Sequence, residues 1–336
     1  MLRTAMVGLG SWGQTLVRSV QGKSDALLFT AACTRTPQKA EGFCRDNGIR
    51  LVGSFDDILE DRAVDAVVLA TPNSQHAGQI AQAARRGKHV FVEKPFTLDS
   101  ASARSAIDAA AAAGVVLAVG FNRRLHPSMR ELRRRVKSGA LGIIGSIIAE
   151  LTATTALYRP SESWRVDPAE EPAGAMAGTG VHLVDSMIDI IGRIREVHCI
   201  AEQRAGPHGA DTTSLLVRFE SGVTGLAFCS IAAARNYRVA VYGSKGFAEV
   251  VGPAMDTFRF IPAAEGRASH LAKIPDAEEI ATPGFQSIAE ELTQFAACIR
   301  AGRAYLVPLD DVLHGVCVFE AAVESARAQR PVAVRA

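Results

Sequence analysis

The stretch that decides the fold is Gly8-Leu9-Gly10-Ser11-Trp12-Gly13. It follows the first apolar run, Ala5 to Val7, and it opens a helix predicted over Trp12 to Gln21. Glycines at these three places allow a tight turn, a close approach of backbone to phosphate, and close packing of helix on strand. The N–H groups at the start of the helix then favour a pyrophosphate. The loop therefore predicts a dinucleotide-binding domain.

Short apolar runs alternate with amphipathic stretches through the first third of the chain, which is typical of a doubly wound parallel sheet. The further strand candidates are Leu28 to Cys33, Ala66 to Ala70, Val90 to Val92 and Val115 to Val119. The further helix candidates are Pro37 to Asn47, Ser74 to Arg86 and Ser100 to Ala113. We expect Ser74 and Ser100 to cap their helices. The pattern predicts an NAD(P)-binding Rossmann domain over residues 1–122, of the α/β class.

A different pattern begins at about residue 123, where longer alternating strands are separated by turn signals. The strand candidates are Gly145 to Thr155, Glu196 to Gln203, Ser214 to Phe219, Gly225 to Ser230 and Tyr237 to Tyr242. Glu220 to Gly222 is a predicted hairpin turn, 174–192 a Gly-rich helical segment, and Gln286 to Ala301 and Asp310 to Ala328 closing helices. We expect residues 123–336 to form an α+β domain with a large, mostly antiparallel open sheet for substrate binding and oligomerisation. The last helix is expected to pack back on the first domain.

The overall charge argues against two classes of partner. The 37 basic and 35 acidic side chains leave a formal net charge of +2, which gives no broad attraction for nucleic acid or an anionic membrane. The basic run Arg130 to Lys137 contains apolar residues at helical spacing and is interpreted as a solvated helix face. Ala109 to Phe121 is the most apolar stretch and is too short to span a bilayer.

Six cysteines are scattered through the chain without a CxxC pair or a His/Cys spacing suited to zinc. We therefore expect buried, reduced thiols, no bound metal, and a cytoplasmic protein without a targeting segment.

The end of the second predicted strand bears on the choice of cofactor. NAD-specific sites usually carry an acidic residue here for the ribose 2′-hydroxyl, but this sequence has Cys33-Thr34-Arg35-Thr36. Thr34 can donate to a 2′-phosphate and the Arg35 guanidinium can pair with it, so NADP is favoured over NAD. In the alternative interpretation Arg35 is a solvated loop residue and either cofactor is accepted.

Four further segments carry a family resemblance. They are Ala70-Thr71-Pro72-Asn73-Ser74-Gln75-His76, Glu93-Lys94-Pro95, Gly120-Phe121-Asn122-Arg123-Arg124 and Gly180-Val181-His182-Leu183-Val184-Asp185. With Tyr242 to Gly246 and the C-terminal helices, they make nearly the whole chain resemble the glucose–fructose oxidoreductase / inositol dehydrogenase / MocA (Gfo/Idh/MocA) family. The resemblance implies an NAD(P)-dependent oxidoreductase that moves a hydride between nicotinamide and a sugar, cyclitol or related polyhydroxylated alcohol or ketone.

The resemblance also implies roles for the loops that follow the predicted strands. The loop at Thr71 lies along the nicotinamide half of the cofactor in the family. The expected cofactor-binding residues beyond the glycine loop, Thr34 and Arg35 are Ala70, Thr71, Pro72, Asn73, His76, Glu93, Lys94 and Asn122. For His76 itself, packing beneath the loop is the preferred interpretation over catalysis.

Lys94 and His182 are the predicted catalytic residues. In the family the matching lysine binds the reacting oxygen and helps its protonation, and the histidine is the acid/base. Asp185, one helical turn after His182, is a predicted substrate-binding residue. The family's usual aspartate, two residues before the glycine of this motif, is replaced by Gly178. Either Asp185 or another side chain substitutes for it, or the chemistry has changed.

The remaining candidates each have two interpretations. Arg123, Arg124 and His126 either line the substrate cleft or form salt bridges that join the domains. Trp164 and Arg165 either cover a polyol or make an oligomer contact. A broad sheet needs a cover on its outer face, so a homodimer or homotetramer is expected. Two alternative functions stay open: a dinucleotide-binding regulatory protein that has lost turnover, and an imine or enone reductase.

Overall fold

The computed structural model describes residues 1–264 and 275–335. The chain forms two compact units. The first comprises Met1–Asn122 and Gln286–Val316, and the second comprises Arg123–Phe285 and Cys317–Ala336. The division into a cofactor domain and a substrate domain stays a prediction.

The first unit is built on a parallel sheet. Its strands are β1 (Leu2–Val7), β2 (Leu27–Cys33), β3 (Arg50–Leu51), β4 (Ala66–Leu69), β5 (His89–Val92) and β6 (Leu117–Val119). They lie in the order β3-β2-β1-β4-β5-β6, which is the doubly wound order of dinucleotide-binding domains. The chain adds β2 and β3 on one side of β1 and then β4 to β6 on its other side, so β1 and β4 are adjacent and the loops that follow them are neighbours. The predicted α/β class is confirmed.

The helices of this unit are α1 (Ser11–Val20), α2 (Glu41–Asp46), α3 (Phe55–Glu60), α4 (His76–Arg85), α5 (Ser100–Ala112), α8 (Ser287–Arg300) and the first part of α9 (Leu309–Ala328). Two predicted caps are wrong. Asp99 caps α5, because its backbone is extended and its carboxylate accepts the Ser102 N–H at 2.7 Å, whereas Ser100 is already helical. Ser74 lies inside a 3₁₀ turn, Asn73–Gln75, and α4 begins at His76.

Helix α8 supplies part of the core of the first unit. The Phe295 ring meets the edge of Phe91 on β5 with ring centroids 5.8 Å apart. Tyr305 packs on the same Phe91 ring at 6.5 Å. Burial raises the pKa of Tyr305, so this phenol stays neutral. Residues from near the C-terminus therefore pack behind the strand that leads to Lys94.

The second unit contains a larger sheet. Its strands are β7 (Ile144–Thr152), β8 (Ile194–Glu202), β9 (Thr212–Phe219), β10 (Thr224–Ser230), β11 (Asn236–Gly243), β12 (Gly246–Val251), β13 (Thr257–Pro262), β14 (Glu278–Ala281) and β15 (Val332–Ala333). The order is β14-β13-β12-β11-β7-β10-β9-β8-β15, and the pairing is antiparallel except between β7 and β10. The predicted α+β class is confirmed. The turn predicted at residues 220–222 joins β9 to β10, with Gly222 at φ +88°.

Helices α6 (Pro127–Lys137) and α7 (Val181–Ile190) belong to this unit. On α6, Met129 and Leu132 are buried. Arg135 departs from the predicted solvated face, because its guanidinium lies over the rings of Phe258 and Phe260 and pairs with acidic side chains. The basic run is thus partly a packing surface on β13.

One face of the large sheet carries exposed apolar side chains. They are Ile200 on β8, Leu216 on β9, and Leu226 and Phe228 on β10. Leu216 and Leu226 are direct cross-strand partners. Since side chains alternate along a strand, the residues between them, such as Leu215 and Val217, are buried on the opposite face.

The six cysteines are free and buried, as predicted. Burial raises the pKa of Cys33, Cys199 and Cys229 to about 12, so these thiols stay protonated at neutral pH. Among residues 1–264 and 275–335, no helix is long and apolar enough to cross a bilayer. The same residues contain no cluster of His, Cys, Asp or Glu side chains able to hold a metal ion.

Candidate active site

The three glycines of the loop after β1 meet different constraints. Gly8 has φ +96°, and a Cβ there would stand 2.5 Å from the Ala70 carbonyl oxygen. A Cβ on Gly13 would stand 2.0 Å from the Gly8 carbonyl oxygen. A Cβ on Gly10 would meet no described atom within 4 Å. Gly8 and Gly13 are therefore needed by the fold itself, whereas Gly10 borders open space.

Helix α1 directs unpaired backbone donors at this space. Its first intrahelical bond runs from Gln14 N to Gly10 O, so the N–H groups of residues 11–13 precede the hydrogen-bond ladder. Gly10 is the N-cap and offers no side chain to compete for them. The first turn contains no acidic residue. Together with the helix dipole, these groups suit the pyrophosphate of a dinucleotide.

The end of β2 has the exposure that the NADP interpretation requires. Thr34 is half-buried and Arg35 is exposed. The Arg35 guanidinium makes no hydrogen bond or ion pair with residues 1–264 or 275–335. Both side chains are more exposed than Cys33, which precedes them and is buried. Arg35 is therefore accessible to an anionic ligand.

His76 joins the loops after β4 and β5. Its side chain is completely buried, with Nδ1 2.9 Å from the Pro95 carbonyl oxygen and 3.2 Å from that of Phe96. Nε2 lies 3.2 Å from the Thr71 carbonyl oxygen. Both ring nitrogens thus face backbone oxygens, which favours the packing interpretation over catalysis. Thr71 is held further by its own hydroxyl, which donates to Gln79 Oε1 at 2.6 Å.

Glu93 supports the backbone of Lys94. Glu93 is buried at the end of β5, and its Oε2 accepts the Lys94 N–H at 3.3 Å. A Cβ on Gly120 would stand 3.1 Å from Glu93 Oε1, so glycine at 120 makes room for this carboxylate. Lys94 itself is half-buried, and the Lys94–Pro95 peptide is cis. Asn122 also borders this end of the sheet, where its amide donates to Ser287 Oγ at 3.0 Å.

In the second unit, His182 lies in the first turn of α7 and is buried. A π-helical turn, Met176–Gly180, runs directly into α7. Such turns are rare and occur often at functional sites. Gly180 is closely packed, because a Cβ there would stand 2.4 Å from Met176 Sδ, which would have to move. The hydroxyl of Thr179 donates to the Ala175 carbonyl at 2.6 Å, which helps to bend the segment.

Asp185 is held by Arg124. The Arg124 Nε lies 2.9 and 3.0 Å from the two carboxylate oxygens of Asp185, and the two side chains are 5% and 4% exposed. Arg124 also reaches Asp189 at 3.3 Å, and Arg133 from α6 pairs with the same Asp189 at 2.9 Å. All of these pairs lie within the second unit. A buried, bidentate pair of this kind orients α7, and Asp185 is already engaged by a full positive charge.

The other candidates of this unit also have protein contacts. Arg123 is half-buried over the ring of Tyr237 at 5.2 Å, and burial raises the pKa of that phenol. His126 is buried as the N-cap of α6, with its ring edge against Phe285, and burial lowers its pKa. Trp164 is half-buried and stacks on the Arg165 guanidinium at 4.1 Å. These contacts show how the side chains are held.

Sequence reasoning did not single out Glu171. This side chain is buried, and its Oε2 accepts a hydrogen bond from Arg159 at 2.9 Å. Its Oε1 lies 3.8 Å from the position that a Cβ on Gly178 would occupy. Glu171 thus brings the loop that contains Arg159 close to Gly178 in the segment before His182. No sequence motif predicts this contact.

Comparison with known proteins identifies the family. Residues 2–121 match a family described as "Oxidoreductase family, NAD-binding Rossmann fold", and residues 129–249 match the "GFO/IDH/MocA C-terminal domain". The chain belongs to the Gfo/Idh/MocA oxidoreductase family. It is accordingly an oxidoreductase with an NAD-binding domain, and the resemblance carried by its motifs is confirmed.

Relatives in this family align over almost the whole chain. The scyllo-inositol 2-dehydrogenase (NAD(+)) of Bacillus subtilis (strain 168) is 28% identical over 357 residues, covering 98% of this chain and 96% of the relative. The inositol 2-dehydrogenase of Rhizobium meliloti (strain 1021) is 26% identical, covering 99% of each. A solved structure of levoglucosan dehydrogenase with NADH and levoglucosan has a TM-score of 0.88 at 20% identity and covers 100% of both chains. At that identity the solved structure supports the fold alone.

Proposed function

We propose that this Gfo/Idh/MocA protein is a dehydrogenase that transfers a hydride between NAD(P) and a CH–OH group of a sugar, cyclitol or related polyhydroxylated compound. The binding of a dinucleotide is supported by the open space beside Gly10 at the N-terminus of α1. The substrate class is supported by relatives that are named as inositol dehydrogenases and align over at least 98% of this chain.

The cofactor is assigned to residues of the first unit. The backbone of residues 8–13 holds the pyrophosphate, and the loop from Ala70 to Asn73, with His76, Glu93 and Asn122 behind it, holds the nicotinamide half. Thr34 and Arg35 take the ribose 2′-phosphate, so NADP is the preferred cofactor. The bound nicotinamide supplies the hydride chemistry, and the protein supplies position and proton transfer.

Lys94 and His182 carry the proton chemistry of the proposal. The Lys94 ammonium donates a hydrogen bond to the reacting oxygen and stabilises the negative charge that develops there. The His182 imidazole takes the hydroxyl proton during oxidation and returns it during reduction. Asp185, Arg124, Arg123 and Trp164 are placed around the substrate, with the Arg124–Asp185 pair fixing α7 and Trp164 offering an apolar ring to a C–H face.

Two other functions are tested by the same assay. The absence of a carboxylate at Gly178 motivates one alternative, a dinucleotide-binding regulator that has lost turnover, and an imine or enone reductase is the other. Purified protein is mixed with NADP or NAD and a panel of sugars and inositols, and absorbance of the reduced nicotinamide is followed. We expect reduction of the cofactor by at least one polyol. Cofactor binding without turnover on alcohols, ketones, imines or enones would favour the regulator, and turnover of imines or enones alone would favour the reductase.

A second copy of this chain is proposed to cover the exposed face of the large sheet. The face combines Leu216, Leu226 and Phe228 with charges of both signs, including Arg218 and Glu196, which suits a self-complementary two-fold contact. Light scattering at micromolar concentration is expected to give a dimer or tetramer, and Leu216→Arg to reduce it to smaller species. Leu306→Arg, a matched change at an exposed leucine of the first unit, should leave the assembly intact. If light scattering shows that the wild-type protein is a monomer, the proposed contact between two copies is wrong.

A further inference from the structure

The segment before His182 has a position where a carboxylate side chain would lie beside the imidazole. Gly178 is four residues before His182, and the helical backbone is continuous through the π-helical turn into α7. Residues four apart share a face of a helix, so a side chain at 178 would be the neighbour of His182. Glycine provides only a hydrogen there.

Glu171 brings a carboxylate to that position from the preceding loop. Its Oε1 lies 3.8 Å from the Cβ position of residue 178, which is the distance of ordinary van der Waals contact with a side chain there. The side chain is 6% exposed. A carboxylate buried to this degree needs a compensating charge, and Arg159 provides it at 2.9 Å, with Arg165 at 3.8 Å from the other oxygen.

The backbone fixes this loop as well. Glu171 N donates to the Asp167 carbonyl, and Gly174 N donates to the Glu171 carbonyl, each at 3.0 Å. Gly174 has φ +56°, and a Cβ there would stand 1.8 Å from the Ala210 carbonyl oxygen. Since only glycine fits, the turn between Glu171 and the π-helical segment is closely packed against the residues that precede β9.

The two carboxylates on α7 are already paired with arginines, and the Arg123 guanidinium lies over the ring of Tyr237. Asp185 binds Arg124, and Asp189 binds both Arg124 and Arg133. From the sheet, Tyr237 on β11 and Cys229 on β10 are neutral because burial raises the pKa of each, that of Cys229 to about 12. The carboxylates on α7 are thus neutralised by arginines of α6 and of the turn before it.

We propose that Glu171 is the carboxylate partner of His182 and stands in for the aspartate that the family pattern places at residue 178. Glu171 acts as a positioning residue: it orients the imidazole and stabilises the imidazolium that forms when His182 takes the hydroxyl proton. Arg159 keeps the carboxylate in place. This inference rests on the proposed role of His182, and Gly178 is then the result of moving the carboxylate to another part of the chain.

The first test needs no substrate. The His182 ring resonance is assigned by its loss in His182→Gln and titrated by NMR in the intact protein and in Glu171→Gln. Removal of a nearby negative charge lowers the pKa of an imidazole, and we expect a decrease of about one unit. The matched control is Glu170→Gln, which removes the same charge from the adjacent, half-buried residue and should leave the His182 titration unchanged. An unchanged titration in Glu171→Gln would overturn the proposal.

The second test removes the carboxylate from residue 171 and introduces one at residue 178. Glu171→Gln should lower kcat by at least about tenfold and move the acidic limb of its pH profile to lower pH, because the base then loses its proton more readily. Gly178→Asp alone should also be impaired, since two carboxylates then share one place. The double variant Glu171→Gln/Gly178→Asp should recover kcat to within about threefold and restore the His182 titration. A double variant no better than Glu171→Gln would contradict the proposal.

Two outcomes separate this inference from the proposed function. If the protein turns over no member of the panel but Glu171→Gln lowers the His182 pKa, the pairing stands and the reaction is wrong. If the protein is active and the His182 pKa is insensitive to Glu171, the reaction stands and the pairing is wrong. If Glu171→Gln alone does not fold because Arg159 loses its partner, the double variant decides: a His182 titration like that of the wild type supports the pairing, and a lowered one contradicts it.

Discussion

The glycine loop after β1 and the segment that leads into α7 hold their functional groups by different means. In the loop, the backbone itself is the binding group, and neighbouring atoms only forbid side chains at Gly8 and Gly13. Around α7, the functional groups are side chains brought from distant positions, such as Arg124 on Asp185 and Glu171 beside Gly178. The first arrangement depends on local backbone geometry and the second on buried charge. Substitutions at the two places should therefore affect stability and cofactor binding to different degrees.

The largest effect on stability is expected at the buried charges of the second unit. Arg124→Met leaves the carboxylates of Asp185 and Asp189 without this partner in a site where the arginine is 5% exposed. Removing one member of a buried pair costs about 3–5 kcal/mol of the free energy of unfolding. Urea denaturation measures it. Arg134→Met, which breaks a solvent-exposed pair with Glu131, is the control and should cost far less. Equal losses in the two variants would contradict the expectation that the buried pair matters more.

The next effect is expected in the glycine loop. Gly13→Ala places a Cβ 2.0 Å from the Gly8 carbonyl, so the strand and helix must separate, at a cost of about 1–3 kcal/mol, with loss of dinucleotide affinity. Gly10→Ala is the matched control, since its Cβ enters open space. It should keep the wild-type Tm and weaken only cofactor binding. Thermal unfolding and cofactor titration of both variants distinguish the two, and a Tm loss in Gly10→Ala equal to that of Gly13→Ala would remove the distinction.

The smallest effect is expected at the exposed end of β2. Arg35→Ala removes a guanidinium that interacts only with the 2′-phosphate in this account, so the KM for NADP should rise about tenfold while that for NAD stays unchanged. Steady-state kinetics with both cofactors measure this, and Lys39→Ala, on an exposed residue of the following turn, is the control. Equal changes with NAD and NADP would mean that Arg35 is a solvated loop residue.

These regions also differ in how far sequence alone predicts them. The roles of Gly8 and Gly13 follow from φ angles and close contacts within one strand–turn–helix unit, so a short motif suffices. Helix α3 is not among the predicted helices, although Ser54 and Asp57 form a capping box that signals its start. The sequence alone does not distinguish Asp99 from the neighbouring Ser100 as the cap of α5, because both residue types are good caps and only backbone conformation decides between them.

The α7 region contains further features that the sequence does not predict. The π-helical turn at Met176–Gly180 is not revealed by any period in the sequence. Glu171 lies seven residues before Gly178, in a loop whose course depends on Arg159, Gly174 and the residues before β9. Such arrangements arise from packing between segments, and the sequence indicated only that some carboxylate was missing.

The most direct test of the account compares Lys94→Ala and His182→Ala with the wild type on the best substrate of the panel. We expect kcat to fall by about 10²–10⁴ in each variant, because each removes a group that acts on the proton of the reacting oxygen. The Kd of the dinucleotide, measured by fluorescence titration, should stay within about twofold for His182→Ala, since the glycine loop is intact. Wild-type kcat in both variants would contradict the central claim that Lys94 and His182 perform the chemistry.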